Sequence, residues 1–399
     1  MPGRRVVSVS VWSPAGSARE PRGQAGISHL LEHMLFKGTG RRSAFGIAAA
    51  LDAVGADLNA FTEREHSCYH CTLLGEHIHL AVDVLTDMLF NSRIAEPELI
   101  TERDVVLGEI ADYEDTPDDV VHDEALRLLW RTHPLGRPIH GSARSVLNLG
   151  REALLDYRDQ WYAPGSLVLS AAGDVQHDRL VSLLKATPLA EGRPVPNGHR
   201  RAPKTSRGSR ILPRETEQAH LCVAVPASGW RDELRYVDGV LAVALGSTPS
   251  SRLFNQIRER RGLAYSVGAF HMPCETAGVL ALYANTMPEK VDQVLGLLSH
   301  EVGKLGRTGL GPTELDRVRR GIVANLLITL DSPTAEARRL GHSMLHRDEI
   351  ADPEETIRRI SAVTAEDVKR RASELFADGF WAQAIAGPMD GEEAAKSEE

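Results

Sequence analysis

The hydrophobic residues of the first half alternate between strand-like and helix-like spacing. Positions 6–12 alternate valine with serine and end on a tryptophan, which is typical of a half-buried strand. Residues 27–36 are hydrophobic at most positions around a few polar ones, so we expect a largely buried helix there. Further helices are predicted at about 44–54, 77–90, 97–114, 117–131 and 150–161, and strands at 57–61, 66–74 and 166–171.

The second half repeats this order of elements. It predicts strands at about 221–225, 264–270, 278–285 and 380–386, and helices at 236–245, 251–260, 288–304, 312–328, 333–346 and 364–376. The repeat predicts an α+β fold of two tandem homologous units, each an antiparallel sheet with helices packed on one side. The predicted domains are residues 1–188 and 215–399. Residues 189–214, rich in proline, glycine and serine, are the predicted linker.

Composition narrows the function classes. A net charge of −9 over 399 residues gives no sign of a nucleic-acid or anionic-membrane partner. No run of 18 apolar residues and no signal-peptide block occurs, so we expect a cytoplasmic location and no membrane span. Four cysteines make no disulfide framework in a chain this long. Cys68 and Cys71 point to opposite faces of a predicted strand, and we interpret both as small core residues.

The predicted helix after Gly26 carries the strongest chemical signal. His29 and His33 are four residues apart and share one helical face, where two neutral imidazoles can hold one divalent metal, usually zinc. Glu32 leans toward the same face and could take a proton from a metal-bound water. The pattern H-x-x-E-H is a metallopeptidase motif, whereas a solvated surface helix fits the apolar neighbours poorly.

A catalytic zinc needs one more protein ligand, with water in the fourth position. Glu102 and Glu109 are seven residues apart on the predicted helix 97–114, so one could bind the metal while the other orients a histidine. Spacing does not say which glutamate binds. His342 and His346 are also four apart, but no carboxylate lies between them, and we interpret them as surface residues of a helix.

Several long segments carry a resemblance that spans nearly the whole chain. These are residues 25–39, 58–62, 102–110, 250–254 and 257–265. In that order they resemble the pitrilysin/insulinase metallopeptidase family, in particular its short bacterial single-chain members similar to mitochondrial processing peptidase. The resemblance implies that His29, His33 and Glu109 bind Zn²⁺, that Glu32 is the general base, and that Glu102 supports the site.

The same resemblance implies where substrate binds. Asn59 and Ala60 would lie on an edge strand that pairs with an extended peptide, as in β-augmentation. Arg258 and Tyr265 match the family residues of the second half that reach the substrate near the scissile bond. The expected reaction is peptide hydrolysis, in which zinc activates a water and polarises the carbonyl, and Arg258 or Tyr265 stabilises the oxyanion.

The resemblance also implies a partner. Family peptidases enclose substrate between four such units, and this chain supplies two, so we expect a homodimer or a heterodimer with a related non-catalytic subunit. Family members usually carry an extra strand or two ahead of the segment that begins here at Met1. The competing hypothesis is a non-catalytic scaffold or substrate-binding subunit. The loss of motif residues would favour it, and His29, Glu32, His33 and Glu109 are all present.

Overall fold

The computed structural model describes Met1, residues 3–192 and residues 201–389. Its strands are β1 (Val6–Ser13), β2 (Asp57–Thr62), β3 (Ser67–Leu74), β4 (Val168–Gly173), β5 (Gly208–Pro213), β6 (Ala219–Ala227), β7 (Ala264–Pro273), β8 (Gly278–Thr286) and β9 (Ala382–Gly387). Its helices in the first half are α1 (Ile27–Leu35), α2 (Ala44–Asp52), α3 (Ile78–Asn91), α4 (Glu96–Glu114), α5 (Pro117–Leu129), α6 (Ala143–Leu147), α7 (Arg151–Trp161) and α8 (His177–Leu184). Those in the second half are α9 (Arg235–Gly246), α10 (Val291–Thr308), α11 (Pro312–Leu330), α12 (Pro333–Arg347), α13 (Pro353–Ala362) and α14 (Ala365–Leu375), with a π-helical segment at Phe254–Glu259.

Among the described residues, the first compact unit comprises 1, 3–111, 137–192 and 327–351. Its sheet has the order β2-β3-β1-β4, and every neighbouring pair is antiparallel. Helix α3 packs against β1 and β3 on one face, and α12 packs against β1 and β4. A helix of the second half of the chain therefore packs on the sheet formed by the first half.

Strand β1 is buried on both faces. Val7, Val9 and Val11 belong to the core that contains α1 and α3. Ser8 and Ser10 point the other way and are also fully buried. Small polar residues on that face allow α12 to lie close to the sheet, because a serine leaves room that a larger side chain would fill.

Among the described residues, the second compact unit comprises 112–136, 201–326 and 352–389. Its sheet has the order β5-β9-β6-β8-β7. The pair β5 and β9 is parallel, and the other neighbours are antiparallel. Helix α9 packs against β7, whereas α5, a helix of the first half, packs against β6 and β9.

The predicted α+β fold of two tandem units is confirmed. The structure differs from the prediction in two details. Each sheet receives one helix from the other half of the chain, in addition to the helices predicted beside it. Strand β5 forms at 208–213, inside the predicted linker, and makes the one parallel pair among the described residues. Residues 193–200 of that linker lie outside the described part of the chain, and the predicted domain boundaries stay a prediction.

Two smaller expectations concern the cysteines of β3 and the histidines of α12. Cys68 and Cys71 are both fully buried, and they belong to different hydrophobic clusters on opposite faces of β3, as predicted. The surface interpretation of the α12 histidines is wrong, because His346 is only 5% exposed and His342 is half-buried. No helix in the described part of the chain is long and apolar enough to cross a membrane.

Candidate metal centre

Helix α1 begins at a tightly built turn. Gly26 has a φ of 90°, and a Cβ there would lie 2.5 Å from the carbonyl oxygen of His140. The carboxylate of Glu20 accepts hydrogen bonds from the backbone N–H groups of Gly26 (2.9 Å) and Ser28 (3.0 Å). A side chain outside the helix therefore pairs with amides at its first turn, which have no partner within the helix.

The two motif histidines share one face of α1. Their ring centroids are 4.7 Å apart, and both side chains are mostly buried. The remaining positions of the helix anchor it in the core of the first unit. Ile27, Leu30, Leu31, Met34 and Leu35 are all fully buried.

Helix α4 brings two glutamates to this face, in different places. Glu109 Oε2 lies 3.7 Å from His29 Nε2 and 3.5 Å from His33 Nε2. Glu102 Oε2 lies 3.2 Å from His33 Nδ1, on the other side of that ring. Its second oxygen is 2.5 Å from Lys37 Nζ. Sequence spacing left the two glutamates equivalent, and their positions beside His33 distinguish them.

The donor set of His29, His33 and Glu109 fits a zinc ion. One ligand atom from each residue lies within 4.8 Å of the other two. Burial lowers the pKa of His29 to about 4, and the nearby His33 and His140 act in the same direction. The ring is therefore a neutral imidazole at neutral pH, which is the form that binds metals. Its Nδ1 is buried and has no hydrogen-bond partner among the described residues.

Glu32 has an environment that makes it a stronger base than an exposed carboxylate. Burial raises its pKa, and the charge of Glu109 adds to the increase. A hydrogen bond donated by Thr62 Oγ1 at 2.5 Å opposes this by stabilising the carboxylate, as does the nearby His33. The pKa remains above its ordinary value because the desolvation of the charge is the largest effect.

Asn59 and Ala60 lie on β2, which is an edge strand of the first sheet. In β3 they pair with His70 and Tyr69 respectively. The N–H of Ala60 donates to the side-chain oxygen of Asn59 at 2.8 Å. The strand has one paired side, and no strand of the described residues pairs with its other side.

Arg258 and Tyr265 lie in the second unit and contact each other. Arg258 Nη1 donates to the backbone oxygen of Tyr265 at 2.8 Å. Its guanidinium lies 4.7 Å from the ring centroids of both Phe254 and Tyr265. The tyrosine side chain is 74% exposed. The first unit contains the proposed metal-site residues His29, Glu32, His33, Glu102 and Glu109. The structure therefore brings those five residues together in one unit, and it brings Arg258 and Tyr265 together in the other.

Sequence reasoning missed three residues that support the site: Glu20, Lys37 and Thr62. Glu20 lies in a loop with no regular pattern, and nothing in the sequence marked it as a cap. Thr62 is the last residue of a segment that carried the family resemblance, and that position was its only signal. Lys37 lies just beyond the C-terminal end of α1, so helical spacing does not place it.

Comparisons with known proteins identify the family of the chain. A family model described as insulinase (peptidase family M16) matches residues 1–143, and one described as the peptidase M16 inactive domain matches residues 148–322. An uncharacterized zinc protease of Mycobacterium tuberculosis is 38% identical over 396 residues, which are 97% of this chain and 90% of that protein. One of Bacillus subtilis is 35% identical over 384 residues, 96% of this chain and 93% of that protein.

Solved structures show the same fold at lower sequence identity. A peptidase M16 inactive domain from Pseudomonas fluorescens superposes with a TM-score of 0.89 at 19% identity, covering 98% of this chain and 94% of that one. A protease from Helicobacter pylori gives a TM-score of 0.87 at 18% identity, covering 96% and 94%. From the full-length sequence matches we conclude that the chain belongs to the pitrilysin/insulinase family of peptidases, family M16.

Proposed function

We propose that this chain is a zinc-dependent endopeptidase that hydrolyses extended peptides or leader-type segments. One observation carries the proposal. The Nε2 atoms of His29 and His33 both approach a single oxygen of Glu109, and Glu32 lies on the same helix as the two histidines. Relatives named as zinc proteases support the choice of metal.

His29, His33 and Glu109 would hold the ion. Bound zinc supplies a Lewis acid, which polarises a carbonyl and makes water acidic enough to ionise near neutral pH. Glu32 accepts a proton from the attacking water and passes it to the nitrogen of the leaving amine. Burial raises the pKa of Glu32, and a carboxylate with a higher pKa binds the transferred proton more firmly.

Glu102 acts as a positioning residue in this proposal. Its carboxylate accepts a hydrogen bond from His33 Nδ1, which leaves Nε2 of that ring to face Glu109. Lys37 pairs with the second oxygen of Glu102 and balances a carboxylate that is only 5% exposed. Such a partner fixes the orientation of a ligand histidine and strengthens its bond to the metal.

The substrate would bind as an added strand. The edge position of β2 supports this, because an edge strand offers backbone hydrogen bonds to an extended peptide. Asn59 and Ala60 would pair with its backbone near the scissile bond. Arg258 and Tyr265 are proposed to stabilise the oxyanion. We further propose that the working enzyme contains two chains, either two copies or one copy with a related non-catalytic subunit.

Cleavage of a quenched fluorescent peptide library by the purified, zinc-loaded chain tests the proposal. We expect turnover that chelation removes and zinc restores. The variant Glu32→Gln should lose about a hundredfold or more in turnover, as general bases do, while it keeps its zinc. Glu76→Gln, whose side chain is 73% exposed, is the matched control and should cleave normally.

The outcomes separate the two hypotheses. Normal cleavage by Glu32→Gln would refute the assignment of the base. No cleavage by the zinc-loaded chain alone would mean that a partner subunit is missing or that the chain is non-catalytic. Mixing with a related chain then separates the two, because cleavage that Glu32→Gln in this chain removes supports a catalytic subunit, whereas cleavage that it leaves unchanged favours the non-catalytic subunit.

A further inference from the structure

A second group of histidines lies in the first unit and shares no residue with the group formed by His29, His33 and Glu109. Helix α12 places His342 and His346 one turn apart, with ring centroids separated by 4.4 Å. His66 immediately precedes β3, and its ring centroid lies 5.3 Å from that of His342 and 5.0 Å from that of His346. We propose that His66, His342 and His346 form a second metal site, which binds one zinc, cobalt, nickel or copper ion and links α12 to the first sheet.

The distances are those of a site in which the ligands already converge. One nitrogen from each of the three rings lies within 4.8 Å of the other two. His66 Nδ1 and His346 Nε2 are 3.0 Å apart. Two nitrogens bound tetrahedrally to one zinc, each at about 2.0–2.1 Å, stand roughly 3.3 Å apart. Small movements of the side chains would therefore accommodate the ion.

The ligands are held by regular structure. Helix α12 approaches the sheet so closely that a Cβ on Gly341 would lie 2.0 Å from Trp12 Nε1. Ser170 Oγ, on β4, donates to the carbonyl of Ala337 at 2.7 Å. On the other side, the carbonyl of His66 accepts a hydrogen bond from Glu63 N at 2.8 Å. Rigid elements on both sides lower the cost of ordering the ligands when a metal binds.

The surroundings determine the class of ion. His346 is 5% exposed and His66 is 8% exposed. The rings of Trp12 and Phe61 lie 5.1 Å and 6.0 Å from that of His66. Three imidazole nitrogens without a carboxylate among the ligand atoms suit zinc, copper or nickel, whereas magnesium and calcium prefer oxygen ligands. The alternative is a metal-free cluster held by an N–H···N hydrogen bond between His66 and His346.

Cobalt binding separates these two possibilities without reference to peptidase activity. The double variant His29→Asn/His33→Asn removes the first site and leaves the second untouched. Titrated with Co²⁺ and followed by visible absorption, it should bind one equivalent per chain. Adding His342→Asn should abolish that binding, whereas adding His300→Asn, an exposed histidine on α10, should not. Circular dichroism establishes that each variant is folded.

A second measurement avoids substitution at the new site. The unaltered chain, loaded with Cu²⁺ and treated with ascorbate in air-saturated buffer, in which dissolved dioxygen is the oxidant, should be oxidised at the peptides that carry His66, His342 and His346, as well as at the peptide with the motif histidines. The proposal is overturned if the His29→Asn/His33→Asn variant binds no cobalt while folded, or if oxidation is confined to the motif peptide. It does not depend on the proposed peptidase activity, and an inactive chain would still bind this metal.

Discussion

The hydrogen bond between Thr62 and Glu32 offers a direct test of how the proposed base is tuned. Thr62 Oγ1 donates to the Glu32 carboxylate at 2.5 Å and lowers a pKa that burial has raised. Replacing the threonine by valine keeps the shape of the side chain and removes the donor. The pKa of Glu32 should then rise further. Because the base must be ionised to accept a proton, the acidic limb of the activity profile should move to higher pH.

The size of the shift follows from the energy of one hydrogen bond to a charged group, about 1.5–3 kcal/mol. A change of one pKa unit corresponds to about 1.4 kcal/mol, so the full range is about one to two units. Glu32 is half-buried, and water can replace part of the lost bond. We therefore expect a shift near the lower end, about one pH unit.

The assay is kcat/KM against pH for a fluorescent peptide, with zinc content measured at each pH. The limb of this profile reports the ionisation of the free enzyme. Thr72→Val is the control, since the hydroxyl of Thr72 on β3 bonds Ser8 Oγ at 3.0 Å and Thr334 Oγ1 at 3.1 Å rather than Glu32. An acidic limb that stays in place in Thr62→Val, or that moves equally in Thr72→Val, would refute the assigned role of this hydrogen bond.

Three further substitutions test the support of the site and of the fold. Glu102→Gln should weaken zinc affinity about 10- to 100-fold in a competition assay, because it removes the charge beside a ligand ring, and unchanged affinity would contradict its positioning role. Burial raises the pKa of Glu20 to about 7 in the folded chain from 4.5, so its contribution to stability is complete below pH 4.5 and is lost as pH rises through 7. Urea unfolding should show that Glu20→Gln removes up to about 3 kcal/mol of this pH dependence, and an unchanged dependence would rule out that cause. Gly341→Ala should destabilise the chain by about 1–3 kcal/mol, because the added Cβ would contact Trp12. Gly321→Ala on α11 is the control, since a Cβ there meets open space. Equal melting temperatures of the two variants would refute the close contact.

Local patterns predicted most of the elements, because hydrophobic spacing and helix caps are properties of short segments. Helix α2 was expected at 44–54 and runs from 44 to 52, with the side chain of Ser43 accepting a hydrogen bond from Gly46 N as its cap. Strands β2 and β3 lie within one residue of their predicted limits. Strand β5 was missed because it is short and begins at a glycine and ends at a proline, which are typical of a loop. Its hydrogen-bonding partner, β9, lies about 170 residues further along the chain.

The candidate metal centre was partly readable for the same reason. His29, Glu32 and His33 share one helix, so their common face follows from spacing alone. The positions of Glu102 and Glu109 depend on the rotation of α4 against α1, which is a property of packing. Glu20 reaches the helix from an irregular loop, and no period in the sequence describes such a contact.

Two expectations failed for the same reason. One placed His342 and His346 on the surface, and the other placed helices on only one side of each sheet. An alternating strand with serines on one side usually has that side in water, so β1 indicated a sheet covered on one face only. The serines of β1 are instead buried beneath α12. The sequence accordingly assigns the polar residues of α12 to a surface helix of the second half, whereas the helix covers the first sheet and brings its two histidines to His66. A strand face made of small polar side chains, such as the serines of β1, therefore has two possible environments. It can face water, or it can pack closely against a helix from another part of the chain, and the sequence of the strand does not distinguish the two.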